Sequence, residues 1–148
     1  MRIRNNPHFF YYCNMKNKVW INGTFDILHH GHFKLINYAS TLGHLTIGID
    51  GDERVSKLKG IGRPYHNELD RMYNLLSLRK VYKVNIFNSD DELSELIKNY
   101  EPDYFVIGSD YKDKKIIGSE FAKKIIYFDR LNYSTTNILN LWDTENNQ

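Results

Sequence analysis

The chain has little cysteine, little net charge and no long apolar run. Its single cysteine, Cys13, cannot form a disulfide within the chain, which fits a reducing cytoplasm. A formal charge of +2 over 148 residues is too small to indicate a nucleic acid or an anionic membrane as a partner. No apolar run approaches the length that a membrane-spanning helix needs. These absences favour one compact cytoplasmic domain, since a chain of this length can bury about two-thirds of its unfolded surface.

Two common nucleotide-binding loops are missing as well. No Gly-x-x-x-x-Gly-Lys-Ser/Thr loop occurs, so any phosphate would have to be bound by other means. No Gly-x-Gly-x-x-Gly follows an apolar run, which weakens the case for a dinucleotide-binding dehydrogenase. No internal repeat or low-complexity linker divides the chain.

Apolar runs of strand length alternate with segments whose apolar residues recur at helical spacing. The predicted strands cover residues 19–21, 45–49, 81–87, 103–107 and 125–128. The predicted helices cover residues 33–39, 67–77 and 90–100, the last with Asp90 as its cap, and Ser134 caps a further helix. This alternation predicts an α/β fold, a Rossmann-like, doubly wound parallel sheet of five strands in a single domain. Ligands of such sheets bind at the carboxyl ends of the strands, where the strand order reverses.

The predicted domain covers residues 18–142. Residues 1–17 form an N-terminal extension, and residues 143–148 form a C-terminal tail. The extension holds the aromatic run Phe9-Phe10-Tyr11-Tyr12 but no small-residue cleavage pattern of a secretory signal. Two interpretations of it stay open: an upstream choice of start codon, or an aromatic arm that packs against a partner subunit.

Three histidines mark the most informative stretch. His29, His30 and His32 stand between the first predicted strand and the first predicted helix, with Gly31 among them. A helix N-terminus has unpaired N–H groups and the positive end of the helix dipole, so it can bind an anion. His29 and His32 are three residues apart and can face the same phosphate chain. Gly31 leaves the backbone bare where that chain must approach.

Two other interpretations of the histidines are weaker. A metal site needs ligands that converge, but the adjacent His29 and His30 point apart, and no cysteine or fourth ligand follows nearby. A purely structural cluster would not explain the Gly23-Thr24-Phe25-Asp26 run that precedes it. The sequence therefore predicts no metal ion bound by these side chains.

The run from Gly23 to His32 resembles the signature of the cytidylyltransferase-like nucleotidyltransferases, whose hallmark is His-x-Gly-His. The resemblance extends from about Lys18 to Leu141 through three later blocks in the same order. These blocks are Lys57-Leu58-Lys59-Gly60 with Arg63-Pro64 and Asn67-Glu68-Leu69-Asp70-Arg71, then Gly108-Ser109-Asp110-Tyr111-Lys112, then Ser134-Thr135-Thr136. The Leu-Lys-Gly and Gly-Ser-Asp-Tyr-Lys blocks look most similar to the adenylyltransferase domain of ADP-heptose synthase. Glycerol-3-phosphate cytidylyltransferase is the next most similar branch.

This resemblance implies nucleotidyl transfer, in which a phosphorylated acceptor attacks a nucleoside triphosphate and pyrophosphate leaves. Positioning and electrostatic stabilisation suffice for such a reaction. The implied catalytic residues are His29, His32 and Lys59. The implied nucleotide-binding residues are these three together with Thr24, Phe25, Gly31, Arg71, Gly108, Asp110, Arg130, Ser134, Thr135 and Thr136. Asp26 and Lys57 are the implied acceptor-binding residues, and Asp26 would orient the acceptor or Mg²⁺.

Several of these residues also have ordinary structural interpretations. Lys57 would be solvated on a predicted Lys-Leu-Lys-Gly loop, and Arg71 would be a surface arginine of a helix. Asp110 would be a turn residue. Ser134 would cap a helix, which is compatible with binding phosphates at the same helix N-terminus.

The predicted acceptor is a sugar 1-phosphate such as heptose 1-phosphate, and ATP is favoured over CTP as the nucleotide. Arg130 departs from the cytidylyltransferase pattern, because a three-residue spacer without glycine separates it from Ser134. The acidic stretch at residues 88–92 argues mildly against glycerol 3-phosphate, whose transfer from CTP is the alternative. Mg²⁺ is the expected cofactor, bound mainly through the nucleotide phosphates.

The expected assembly is a cytoplasmic homodimer whose partners are a nucleoside triphosphate and a phosphorylated small molecule, with no nucleic acid and no membrane. Two other classes are weighed against this prediction. A nucleotide-binding module with degraded catalysis would have lost His29 or His32, and both are present. A tRNA-linked adenylating domain would need a Lys-Met-Ser-Lys-Ser-like loop and a much longer chain, and the sequence has neither.

Overall fold

The structure is a computed structural model that describes residues 17–129. Strands and helices alternate along this part of the chain. The strands are β1 (Lys18–Gly23), β2 (His44–Asp50), β3 (Val81–Phe87), β4 (Tyr104–Gly108) and β5 (Lys124–Phe128). The helices are α1 (His30–Leu42), α2 (Asp52–Lys59), α3 (Glu68–Leu76) and α4 (Asp90–Tyr100), with two short 3-10 turns at Ser109–Tyr111 and Ser119–Phe121.

The five strands form one parallel sheet in the order β3-β2-β1-β4-β5. The predicted Rossmann-like α/β fold with a five-stranded parallel sheet is confirmed. The chain winds outward from β1 to β3 on one side and then continues with β4 and β5 on the other. The strand order therefore reverses between β1 and β4, and their carboxyl ends are where a ligand site is expected.

Helices cover both faces of the sheet. Val19 and Ile21 of β1 point into one core, which α1 and α3 close, whereas Trp20 between them points into a second core, which α4 closes. Val19, Trp20 and Ile21 have no exposed surface. The continuous apolar run that predicted a buried strand is explained by this two-sided burial.

Two details of the helices differ from the sequence predictions. Lys57 and Lys59 lie in the last turn of α2, where a loop was predicted. The sequence did not predict this helix, because Val55 is its one buried residue and it therefore has no apolar stripe. The cap of α4 is Ser89, whose hydroxyl accepts from the N–H of Glu92, and the predicted Asp90 is the first residue of the helix.

The predicted helix at Ser134 and the proposed terminal segments lie outside the described residues, so the domain limits of 18 and 142 stay predictions. Between residues 17 and 129, no helix has the length and apolarity to cross a membrane.

Candidate active site

A cavity of about 510 Å³ opens at the carboxyl ends of the strands, where the strand order reverses. Eight of the predicted site residues line it, namely Thr24, Phe25, Asp26, His29, Gly31, His32, Lys59 and Gly108. Three others do not line it, namely Lys57, Arg71 and Asp110. The remaining four, Arg130, Ser134, Thr135 and Thr136, lie outside the described residues.

The side chains of His29 and His32 stack at the N-terminus of α1, with 3.9 Å between ring centroids. The N–H of Gly31 donates to Nδ1 of His29 at 3.1 Å, and the N–H of His29 donates to Nδ1 of His32 at 3.3 Å. Because a backbone N–H can only donate, each Nδ1 must be unprotonated. Each neutral ring therefore carries its proton on Nε2, which can donate to a phosphate oxygen.

Phe25 packs against the second ring of this histidine pair. Its ring centroid lies 5.1 Å from that of His32, and the phenylalanine is 4% exposed. The φ angle of Phe25 is 47°, a left-handed conformation that a large side chain rarely adopts. Such strain persists where the surrounding packing holds it, and it is common at functional sites. The turn after β1 thus fixes the position of His32.

Asp26 lines the cavity and is buried, with 1% of its surface exposed. Its carboxylate accepts from the N–H groups of Tyr65 and His66, at 2.8 and 2.9 Å, and from the guanidinium of Arg63 at 3.3 Å. These contacts join the turn after β1 to the loop between α2 and α3, across 37 to 40 residues of sequence. These hydrogen bonds hold the carboxylate in a fixed position on the cavity wall, and its contact with the acceptor or Mg²⁺ stays a prediction.

Arg71 is fully buried and does not line the cavity. Its guanidinium donates to the carbonyl of Thr24 at 2.8 Å, to the carbonyl of His66 at 3.0 Å and to the carboxylate of Asp52 at 2.7 Å. The interpretation as a surface arginine is wrong, because the side chain is buried, and the role in nucleotide binding stays a prediction. In the structure the residue holds three segments of the site together.

Lys59 and Lys57 point to different sides of α2, as expected for residues two apart on a helix. Lys59 lines the cavity, whereas Lys57 is exposed outside it. After β4, Gly108 lines the cavity, whereas Asp110 is exposed in the 3-10 turn that follows. Lys59 and Gly108 therefore remain candidates for contact with the nucleotide.

Five polar residues that line the cavity were not predicted as site residues, namely Asn22, Asp50, Arg54, Tyr111 and Lys115. Arg54 donates through Nε to Asp50 at 2.8 Å and through Nη2 to Asp90 at 2.6 Å. Burial alone lowers the pKa of Arg54, but its hydrogen bonds with Asp50 and Asp90 outweigh burial and raise this pKa, so the guanidinium stays charged. The sequence held signals for three of the five, since Asn22 and Asp50 directly follow predicted strands and Tyr111 belongs to the block from Gly108 to Lys112.

The described residues offer no cluster of side chains for a directly coordinated metal ion. Within residues 17–129, no group of three or more His, Cys, Asp or Glu residues could hold a metal ion. The carboxylate of Asp26 is occupied by N–H donors. A magnesium ion carried by the nucleotide phosphates stays a prediction.

Residues 20–140 match the cytidylyltransferase-like family. The chain belongs to this family. The resemblance on which the site residues were chosen is thereby confirmed, as is the predicted class of enzyme, a nucleotidyltransferase. For a member of the cytidylyltransferase-like family, the cavity offers a helix N-terminus and two imidazole donors to a chain of phosphates.

Curated relatives support the same assignment. The chain is 42% identical over 127 residues to the bifunctional protein HldE of Campylobacter fetus subsp. fetus, covering 84% of this chain and 28% of that protein. It is 45% identical over 115 residues to the bifunctional protein HldE of Nitratiruptor sp., covering 77% of this chain and 25% of that protein. The chain thus spans about a quarter of the length of these relatives.

Solved structures share the fold at low sequence identity. The lipopolysaccharide core biosynthesis protein from Thermoplasma volcanium GSS1 superimposes with a TM-score of 0.63 at 22% identity, covering 79% of this chain and 99% of that one. Pantothenate synthetase from Thermus thermophilus superimposes with a TM-score of 0.58 at 12% identity, covering 87% of this chain and 64% of that one. At these identities the likeness concerns the fold.

Proposed function

We propose that the chain transfers a nucleoside monophosphate from a nucleoside triphosphate, with ATP favoured, to a sugar 1-phosphate such as heptose 1-phosphate. The observation that carries this proposal is the pair of stacked rings of His29 and His32 on the cavity wall. Each Nδ1 accepts a backbone N–H, so each Nε2 is a donor. Donors held in place before the reaction stabilise phosphate oxygens that gain negative charge.

The chemistry needs no nucleophilic side chain. An oxygen of the acceptor phosphate forms a bond to the α-phosphorus, and the bond from that phosphorus to the oxygen leading to the β-phosphorus breaks. Pyrophosphate leaves with the electron pair. Because the acceptor phosphate is already ionised, no general base has to remove a proton. The roles left to the protein are orientation and neutralisation of charge, for which the histidine pair, the N-terminus of α1 and Lys59 are suited.

Support for ATP and a sugar 1-phosphate comes from the resemblance to the adenylyltransferase domain of ADP-heptose synthase. The curated relatives named above match 77% to 84% of this chain at more than 40% identity. Lys59 and Gly108, which belong to the blocks that carry this resemblance, both line the cavity. Mg²⁺ bound through the phosphates, a cytoplasmic location and a homodimer complete the proposal and rest on the resemblance.

A pyrophosphate-release assay tests the proposal. Each of the four common nucleoside triphosphates is combined, with Mg²⁺, with heptose 1-phosphate, hexose 1-phosphates and glycerol 3-phosphate. We expect the highest kcat/KM with ATP and heptose 1-phosphate. The His32→Ala variant is the control for contaminating activity.

Two other results would replace the proposal. Activity restricted to CTP and glycerol 3-phosphate would keep the enzyme class and change both substrates. Binding of triphosphates without pyrophosphate release from any pair would indicate a nucleotide-binding module instead.

A further inference from the structure

The cavity extends to both sides of β1, and its two sides differ in charge. On the α1 side, the histidine pair and the helix N-terminus favour anions. At the ends of β2 and β3, the lining contains Asp50, Arg54 and Phe87. The proposed function assigns phosphates to the first side but leaves the second without a ligand.

The side chain of Arg54 is fixed by three contacts. Nε lies 2.8 Å from Oδ1 of Asp50, and Nη2 lies 2.6 Å from Oδ1 of Asp90. The guanidinium carbon lies 5.3 Å from the centroid of the Phe87 ring. The side chain is 19% exposed, so its shape at the cavity surface is set before any ligand arrives.

The net charge of this group decides what it can bind. Asp90 is 63% exposed and does not line the cavity, so the group presents only Asp50 and Arg54 there; their charges cancel, and the pair offers little attraction to a phosphate. The second carboxylate oxygen of Asp50 accepts a long hydrogen bond, 3.3 Å, from the hydroxyl of Thr24. A carboxylate has about four acceptor positions. Asp50 can therefore accept further hydrogen bonds, and hydroxyl groups are neutral donors that suit it.

Asn22 adds an amide beside this carboxylate group. It lies one residue before the end of β1, lines the cavity, and pairs with Gly48 of β2 across the sheet. Its Oδ1 accepts from the indole N–H of Trp20 at 3.1 Å, which fixes the amide with its NH₂ as the opposite end. A carboxylate acceptor and an amide donor at neighbouring strand ends match the mixed donor and acceptor character of sugar hydroxyls.

We propose that Asp50, Arg54 and Asn22 recognise the hydroxyl groups of the acceptor's sugar, so that they select a polyhydroxylated sugar phosphate over a short phosphorylated alcohol. This inference rests on the proposed function, because it takes the phosphates to lie beside the histidine pair. Asp50 accepts from hydroxyl groups, Asn22 donates to them, and Arg54 holds Asp50 in place while covering Phe87.

The test compares Asp50→Asn and Arg54→Lys with the wild type. Binding of heptose 1-phosphate, glycerol 3-phosphate and ATP is measured by calorimetry, each ligand alone, and KM and kcat are measured by pyrophosphate release. For Asp50→Asn we expect the Kd and KM for heptose 1-phosphate to rise roughly 10- to 100-fold, the value of a hydrogen bond to a charged group. Affinity for glycerol 3-phosphate and for ATP should change less than about threefold.

Arg54→Lys keeps the charge but cannot donate to Asp50 and Asp90 from two separate nitrogens. The Kd and KM for heptose 1-phosphate should therefore rise less than in Asp50→Asn. Asp103→Asn is the matched control, because this carboxylate is likewise paired with a cation, the ammonium of Lys123, but does not line the cavity. It should leave all three affinities unchanged. Thermal unfolding of each variant separates a loss of folding from a loss of recognition.

The outcomes distinguish this inference from the proposed function. Equal weakening of all three ligands in Asp50→Asn, or none, overturns the sugar subsite while leaving the transferase intact. Wild-type binding of heptose 1-phosphate that is weakened selectively in the variant, without any pyrophosphate release, keeps the subsite and overturns the proposed reaction. A wild type that binds no sugar phosphate in the calorimeter and releases no pyrophosphate with any overturns both.

Discussion

The two ends of the same sheet carry polar contacts of the same chemical kind that serve different purposes. At the amino ends of the strands, the carboxylate of Asp103 accepts from the N–H of Lys18 at 2.7 Å and from the ammonium of Lys123 at 2.6 Å. The hydroxyl of Tyr100 donates to the carbonyl of His44 at 3.1 Å, and burial raises the pKa of this hydroxyl. None of these residues lines the cavity of about 510 Å³.

At the carboxyl ends, the contacts join loops and surround that cavity. The guanidinium of Arg71 links Thr24, His66 and Asp52, and Asp26 holds the loop that follows α2. Contacts at the amino ends connect residues at the starts of neighbouring strands, so they stabilise the pairing of these strands. Contacts at the carboxyl ends join loops to one another around the cavity, which opens at the point of reversed strand order.

Residues that determine stability and residues that determine activity therefore lie at opposite ends of the strands. Substitutions at the amino ends should change unfolding without changing kinetics. Substitutions of side chains on the cavity surface should change kinetics with little effect on unfolding. Substitutions of Asp26 and Arg71, the two buried residues that hold loops around the cavity, should change both.

Substitution of Arg71 should cause the largest loss of stability. It tests the distinction between residues that affect unfolding and residues that affect kinetics. Arg71→Met removes a buried cation and leaves two carbonyls and a carboxylate without their donor, which should cost about 3–5 kcal/mol of unfolding free energy. Urea unfolding measures this loss. The exposed Arg79→Met is the control and should stay within about 0.5 kcal/mol of the wild type. A stable Arg71→Met variant that no longer binds ATP would return Arg71 to the role of a phosphate ligand.

The histidine pair should give the next largest effect, confined to kinetics. His32→Ala should lower kcat by roughly 10²–10³, the cost of removing one donor to a developing charge. His29→Ala should act similarly and also lose about 1 kcal/mol of stability, because this residue is the N-cap of α1. His30→Ala is the matched control, since His30 is exposed and does not line the cavity. An unchanged kcat in a folded His32→Ala variant would rule out the proposed mechanism.

The two lysines of α2 sharpen the distinction between the cavity surface and the rest of the helix. Lys59→Ala should weaken ATP binding roughly 10- to 100-fold, the value of one charge-assisted contact with a phosphate. The resemblance predicts that Lys57→Ala raises KM for the acceptor, but the exposed position of Lys57 outside the cavity predicts a smaller change. Separate titrations of ATP and acceptor against each variant decide the matter, and equal effects of both variants on both ligands would contradict the assignment.

Much of the fold could be predicted because its signals are local. The continuous apolar run of residues 19–21 predicts a strand buried on both faces, and the histidines directly before a predicted helix predict an anion site. The helix α2 gave no such signal from its apolar residues, although acidic residues in its first turn and lysines in its last turn suit the helix dipole.

The inward-facing part of the site could not be predicted because it depends on contacts between distant segments. Asp26 and Arg71 match the family pattern in sequence, yet their partners lie up to 47 residues away. A motif shows which residues stand near a site but not which way a side chain turns. Arg54 was not predicted because it matches no motif. Its partners Asp50 and Asp90 lie close to it only because β2 and β3 are neighbours in the sheet.

Asp103 at the amino ends should give the smallest effect, and its dependence on pH identifies it. The ammonium of Lys123, followed by the N–H of Lys18, lowers the pKa of Asp103 below its ordinary value. A lowered pKa in the folded state means that the charged carboxylate stabilises the fold above the unfolded pKa of about 3.9, and that this stability is lost as the pH falls through the lower folded value.

Asp103→Asn should therefore have a lower urea midpoint than the wild type at pH 7, with the difference between the two midpoints narrowing below about pH 4. Its kcat and KM should equal those of the wild type, because the residue does not line the cavity. A gap that stays constant with pH would show that the hydrogen bond to Lys18 matters and the charge does not, and altered kinetics would break the separation between the two ends of the sheet.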